Sequence, residues 1–166
     1  MLKVARKNIR GMGFLKGDMM DFNINKEFDV ITCLFSTIAY AKNYRNLKKV
    51  LKNFSSHMKK GGVLIIEPWF DKSNFVEGHA HMTTYDGDGI KIARVGFSKI
   101  RGDTSIIYNE YLIVEENKGI KHLKDNYEEP LFERKKFLEL MRESGLKPVF
   151  RRKGLSERGL YIGIKK

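Results

Sequence analysis

Disulfide bonding is out of reach for this chain, because it holds a single cysteine. Cys33 has no partner, a usage that suits a reducing cytosolic compartment, and its place inside an apolar run reads as a buried, unreactive thiol. Long hydrophobic runs are missing too. None approaches the roughly 20 residues that span a bilayer, and Met1 to Lys7 lacks the apolar core of a secretory signal. Acidic residues are in short supply: 20 Asp and Glu face 32 Lys and Arg, for a net charge of +12. That balance favours an anionic partner, whether nucleic acid, a membrane surface or a phosphate-bearing small molecule. The basic residues are nevertheless spread along the chain, with only Arg151-Arg152-Lys153 and Lys165-Lys166 as short runs. No basic stripe with interleaved aromatics is present, which argues against a nucleic-acid binder. With 42% hydrophobic and 11% aromatic residues over 166 positions, the chain can bury one ordinary core and a small subdomain.

What is present centres on Gly61-Gly62-Val63-Leu64-Ile65-Ile66-Glu67-Pro68-Trp69-Phe70. Four aliphatic residues in a row predict a strand buried on both faces of a parallel sheet. Pro68 cannot donate a ladder hydrogen bond, so the strand should stop there and tip Trp69 and Phe70 into a crevice. In open α/β sheets, ligands bind at such carboxyl ends.

Around this stretch the chain alternates. Met1 to Asn8 reads as a helix, Phe14-Leu15 as a short strand, and Phe28 to Phe35 as a second buried strand. Ser36 to Asn43 reads as a connection, and Tyr44 to Met58 as an amphipathic helix with Leu47, Val50, Leu51 and Phe54 at helical spacing. Beyond Trp69 the period falls to two, over Ile90 to Phe97, Ser105 to Val114 and Ile120 to Tyr127. Turn signals at Asp86-Gly87-Asp88-Gly89, Arg101-Gly102-Asp103 and Glu116 to Gly119 separate these runs. Glu133 to Ser144 predicts a helix with Phe137, Leu138 and Met141 inward, followed by strands near Lys147 to Phe150 and Leu160 to Ile164. The expected fold is α/β: a Rossmann-like, mostly parallel sheet in a single domain over residues 1–166, with an antiparallel sheet inserted over 80–132.

Gly17-Asp18-Met19, Phe28 to Phe35, and Leu47 to Trp69 with Met58-Lys59-Lys60-Gly61-Gly62 together resemble class I S-adenosylmethionine-dependent methyltransferases. More narrowly, Glu67-Pro68-Trp69-Phe70, the inserted sheet and Ser156-Glu157-Arg158-Gly159-Leu160 resemble the sugar N,N-dimethyltransferases, which act on nucleotide-linked amino sugars. The resemblance implies methyl transfer from S-adenosylmethionine to an amine of a small phosphate-bearing acceptor, under an acceptor lid formed by the inserted sheet. The family's glycine-rich loop after its first strand, and the acid ending its second, have no counterpart here. The sequence therefore reads as N-terminally truncated, with a gap in its sheet and a stripped apolar face. A second copy of the chain, or an N-terminal partner, would cover that face. The competing readings are a non-enzymatic fragment or subunit that needs a partner and, third, a basic RNA-binding protein or RNA methyltransferase.

On the cofactor side, the resemblance gives Asp18 the adenine amino group and packs Met19 on the ring face. It runs Leu34, Phe35 and Ser36 along the cofactor. Asp18 could equally cap its own turn. For catalysis the candidates are His81 and His79, since the attacking amine needs a free lone pair and a neutral imidazole can take its proton. Loop histidines exposed to solvent are the competing reading. His-x-His could also hold a metal, but no third ligand is evident, so no metal is expected. Glu67, Trp69, Arg94, Tyr111 and Arg158 are the candidates for the acceptor. Trp69 would wall off water and Arg158 would meet a diphosphate. Glu67 could instead satisfy loop amides. His57 and His122 read as surface residues.

Overall fold

A computed structural model describes residues 2–166. Two four-stranded sheets carry the architecture. The first contains β1 (Phe28–Cys33), β2 (Met58–Ile66), β7 (Leu146–Arg151) and β8 (Leu160–Lys165) in the order β1-β2-β8-β7. The second runs in chain order through β3 (His81–Gly87), β4 (Ile90–Arg101), β5 (Thr104–Glu115) and β6 (Gly119–Pro130). Helices α1 (Leu2–Asn8), α2 (Tyr44–Ser56) and α3 (Arg134–Glu143) and a short 3-10 helix (Thr37–Ala41) complete the described elements.

The α/β character holds, but the mostly parallel sheet does not. Only β1 and β2 run parallel; β8 lies antiparallel to both β2 and β7. The expected strand at Phe14-Leu15 is also missing, and Leu15 is exposed, with no neighbouring strand beside it to complete a ladder. The first position of the expected N-terminal helix, Met1, lies outside the described residues.

The boundary between α2 and β2 falls earlier than the helical spacing suggests. Asn43 caps α2 by accepting the Asn46 amide at 2.9 Å, and the helix ends at Ser56. Met58 already pairs with Phe28, so Lys59, Lys60 and both glycines belong to the strand. The register then jumps from Phe28↔Met58 to Val30↔Val63, a bulge that Gly61 absorbs at φ +79°. Gly62 is fixed by contact: a Cβ there would come within 2.8 Å of the Lys59 carbonyl oxygen.

Leu47, Val50 and Leu51 of α2 and Phe137 and Met141 of α3 pack against Cys33, Leu64, Ile66, Leu146 and Tyr161. Burial pushes the Cys33 thiol up to about 12, so it stays protonated and inert. The helices cover one face of the first sheet only. On the other face, the register aligns Val30, Val63 and Ile164 in one row and Ile65, Ile162 and Val149 in the next. Val30, Ile164 and Val149 are exposed there. The aliphatic run was expected to be buried on both faces, yet Leu64 and Ile66 are sealed while Val63 and Ile65 are only half-buried.

The inserted sheet follows its turn chemistry. Gly87↔Ile90 and Arg101↔Thr104 close two-residue loops at Asp88-Gly89 and Gly102-Asp103. Its first strand, β3, escapes the period-two reading because Met82, Thr83, Thr84 and Tyr85 are all exposed, leaving no alternation to detect. The two sheets are stitched together where β2 ends. Trp69 Nε1 donates to Ser105 Oγ at 2.9 Å, and Lys42 Nζ to the Glu128 carbonyl at 2.6 Å.

Candidate functional site

Where β1 ends, two non-glycine residues in a row take left-handed backbone angles, Phe35 at φ +50° and Ser36 at φ +56°. Such a pair costs free energy and persists only where its surroundings hold it. Glu67, 4% exposed at the end of β2, is the holder. Its Oε2 accepts the Phe35 amide at 2.8 Å, and its Oε1 accepts Ser156 Oγ and Arg158 Nη2, both at 2.9 Å. Arg158 also donates from Nε to Ser156 Oγ at 3.0 Å and from Nη1 to Ser36 Oγ, which in turn donates to the Pro68 carbonyl.

This cluster ties two of the acceptor candidates to each other. Glu67 satisfies a loop amide and an arginine rather than facing open space. Arg158 is a clamped, mostly buried cation (17% exposed) that also lines a cavity. Burial alone would raise the Glu67 carboxyl. The Phe35 amide, the Ser156 hydroxyl and the Arg158 charge outweigh it and hold the group below the usual carboxylate range. The clamp leaves the Phe35 ring 85% exposed, an aromatic displayed at the sheet's carboxyl end.

Three cavities lie along this end of the sheet, the middle one against the clamp. The first, about 640 Å³, is lined by Gly17, Asp18, Met19, Thr37 and Tyr40 among others. The second, about 410 Å³, lies between Phe35, Ser36, Tyr40, Trp69, Tyr127 and Arg158. The third, about 620 Å³, runs under the inserted sheet past Trp69, His79, His81, Arg94, Asn109 and Tyr127. Tyr40 is common to the first and second, and Trp69 and Tyr127 to the second and third. The three cavities thus stand in series, each sharing a wall with the next, from the Asp18 loop to the histidines.

Asp18 caps its own turn and also lines the first cavity. Its Oδ1 accepts the Met20 amide at 2.8 Å, which leaves Oδ2 outside that bond. The Met19 carbonyl is pinned by Asn53 Nδ2 at 3.1 Å, which fixes the loop against α2. Leu34 contributes backbone only: its carbonyl accepts both the amide and the hydroxyl of Thr37, at 3.1 and 2.6 Å. Trp69 packs edge-on against Phe70 at 5.0 Å and near Phe75 at 6.3 Å, with the Arg158 guanidinium 5.7 Å from its ring centre.

His81 is half-buried on β3, whereas His79 is exposed in the preceding loop, so the two do not share a strand face. No metal-binding cluster occurs among the described residues. Arg94 faces the third cavity, while Tyr111, its cross-strand partner, stands one step back from the wall. His122 pairs with Glu110 on the exposed side of the sheet. His57, expected at the surface, is 7% exposed instead. Its ring bonds the Asn53 carbonyl and the Ile24 amide and packs on Phe22, locking the start of β1 to α2.

Sequence reasoning passed over Asn109 and Tyr127. The signal for Asn109 was available: a polar side chain at the core-facing parity of a period-two strand, between Ile107 and Tyr111. It is 1% exposed, and its Oδ1 has no hydrogen-bond partner.

No family model matches the sequence. Similar proteins include the dTDP-3-amino-3,6-dideoxy-alpha-D-glucopyranose N,N-dimethyltransferase of Streptomyces fradiae, 31% identical over 99% of this chain and 64% of that protein. Another is the dTDP-3-amino-3,4,6-trideoxy-alpha-D-glucopyranose N,N-dimethyltransferase of Streptomyces venezuelae, 29% identical over 99% of this chain and 69% of that protein. Among solved structures, Streptomyces venezuelae DesVI superposes with a TM-score of 0.94 at 28% identity, over 99% of this chain and 70% of that one. The S-adenosylmethionine-bound CalS10 of Micromonospora echinaspora, an amino pentose methyltransferase, superposes with a TM-score of 0.92 at 25% identity, over 99% and 70%. The chain therefore spans about two thirds of the length of these relatives.

Proposed function

We propose that this chain, which resembles S-adenosylmethionine-dependent sugar N,N-dimethyltransferases along nearly its whole length, supplies the acceptor side and the adenine end of a methyl-transfer site. The single observation that carries the reading is the series of three cavities, sharing walls at Tyr40, Trp69 and Tyr127, from the Asp18 loop to His81. The acceptor is an amine on a nucleotide-linked sugar, and the inserted sheet is its lid.

The residues of the first cavity fit the adenosyl end of the cofactor. Asp18 keeps one carboxylate oxygen for an amino group while the other holds the loop, and Met19 offers a polarisable face to a ring. When bound, S-adenosylmethionine supplies an electrophilic methyl group on a sulfonium sulfur. The chain's own part is orientation, which supplies most of the rate in a displacement of this kind. Phe35, held outward by Glu67, and Trp69 wall the middle cavity and exclude water. His81 takes the proton that the amine loses as it becomes nucleophilic, with Arg94 beside it for the acceptor's anionic part.

A direct test incubates the purified chain with methyl-labelled S-adenosylmethionine and a dTDP-linked amino sugar, then reads methylated product by mass spectrometry. Label should appear in the sugar amine and fall at least tenfold in Asp18→Ala. Label that is absent, or unaffected by that change, contradicts the reading.

A second reading has one observation in its favour. The open aliphatic face of the first sheet, with Val30, Val149 and Ile164 exposed, fits a subunit whose site is completed by further polypeptide, from a partner or a second copy. Under that reading label transfer appears only after the covering polypeptide is added.

A further inference from the structure

The structure assigns a positioning role to Asn109: its side-chain carbonyl orients the His81 imidazole across the bare backbone of Gly96. The inference rests on the reading of His81 as the proton acceptor.

The three residues form one row of the inserted sheet. His81 on β3 pairs with Gly96 on β4, and Gly96 pairs with Asn109 on β5. All three therefore point to the same face, the one over the third cavity. His81 and Asn109 stand two strands apart, and any side chain between them would separate them. Gly96 has none. A Cβ built on it would meet Asn109 Oδ1 at 2.6 Å and His81 Cε1 at 2.9 Å, so both groups lean into the same gap. Its φ is not in the left-handed region, so close approach rather than turn geometry explains this glycine.

The chemistry of the two groups matches. Asn109 is 1% exposed, and its Oδ1 lies 2.6 Å from where a Gly96 Cβ would stand. That oxygen has no partner, and a buried carbonyl left unpaired is rare. Cε1 of His81 lies between the two ring nitrogens, so a turn of the ring presents one N–H to Oδ1. An acceptor-only oxygen fixes the tautomer, leaving the other nitrogen's lone pair for the substrate ammonium. The proton then moves from that ammonium to the free imidazole nitrogen, while the N–H on Oδ1 stays in place. The other titratable groups facing His81 are Arg94 on β4, Tyr127 on β6, and His79 and Glu157 from the flanking loops. Tyr111 on β5 is the nearest beyond the wall. None of these is an oxygen acceptor on the His81 row.

The test is an NMR titration of the His81 ring in the full chain, with Asn109→Asp and Asn109→Ala beside the parent. It needs neither cofactor, acceptor nor turnover, so a failure of methyl transfer and a failure of this inference are separately visible. Asn109→Asp, nearly isosteric, should raise the His81 pKa by about one unit or more through the new carboxylate. Asn109→Ala should abolish the single-tautomer ¹⁵N pattern. In a transfer assay Asn109→Ala should lower kcat at least tenfold with KM within about twofold. A His81 pKa and tautomer unchanged in both variants overturn the assignment. So does an Asn109→Ala variant that raises KM alone, which would give Oδ1 to the acceptor itself. Should Asn109→Ala fail to fold, the Asn109→Asp titration decides by itself.

Discussion

Replacing Arg158 with methionine is expected to lower the unfolding free energy by about 3–5 kcal/mol, the usual consequence of stripping one partner from a buried ion pair. For a chain of this size that is a fall of roughly 6–20 °C in Tm. The change leaves the Glu67 carboxylate, 5% exposed at its side chain, with only the Phe35 amide and the Ser156 hydroxyl. It also frees Ser36 from its guanidinium, so Phe35 and Ser36 lose part of what holds their left-handed backbone. Denaturant melts measure the loss directly. A cost below about 1 kcal/mol would show that the clamp is a surface pair of ordinary weakness.

Acid should act on the same joint. The folded Glu67 carboxyl titrates below its ordinary value, so the stability it contributes is present above the unfolded pKa, near 4.3, and is lost as pH falls through the folded one. Melts of Glu67→Gln should lack that part of the acid-side decline, although the variant starts less stable at neutral pH.

The second large effect concerns rate. His81→Ala is expected to reduce methyl transfer by about 10²–10⁴-fold, the range for losing a positioned general base, with the fold intact because the ring is half-buried. The acid limb of the parent's pH–rate profile should vanish with it. His79→Ala, in the exposed loop, should stay within about threefold of the parent. Equal losses from both histidines, or none from either, would remove His81 from the proton-transfer role.

How much of this was legible in the sequence varied with how local the signal was. Hairpins were legible because Asp88-Gly89 and Gly102-Asp103 can adopt tight turns whatever surrounds them. The α3 helix and the closing strands were legible for the same reason. The direction of β8 was not: its period matches either orientation, and only its place between β2 and β7 makes the sheet mixed. The start of β2 was hidden because Met58 and Lys59 continue the helical spacing of α2. Along the cavities, candidates could be picked from the residue pattern but their partners could not. Glu67, Ser36 and Arg158 lie far apart in the chain and meet through the crossing of β2 with the loop before β8. Glu67 and Arg158, both read as acceptor candidates, thereby bond each other, a partnership that no local pattern announces. Asn109 was overlooked because a polar residue in an alternating strand looks solvent-facing until the parity of Ser105 and Ile107 is fixed.

Trp69, the sole tryptophan of the chain, walls both the middle and the acceptor cavities and so reports on both from within. Its fluorescence, followed while a dTDP-linked amino sugar is titrated in with and without S-adenosylhomocysteine, tests the central claim most directly. The account predicts a saturable change whose midpoint moves to lower sugar concentration when the second ligand is present, because the two would share the Trp69 wall. A fully folded chain whose Trp69 emission shows no saturable change with either ligand would contradict it.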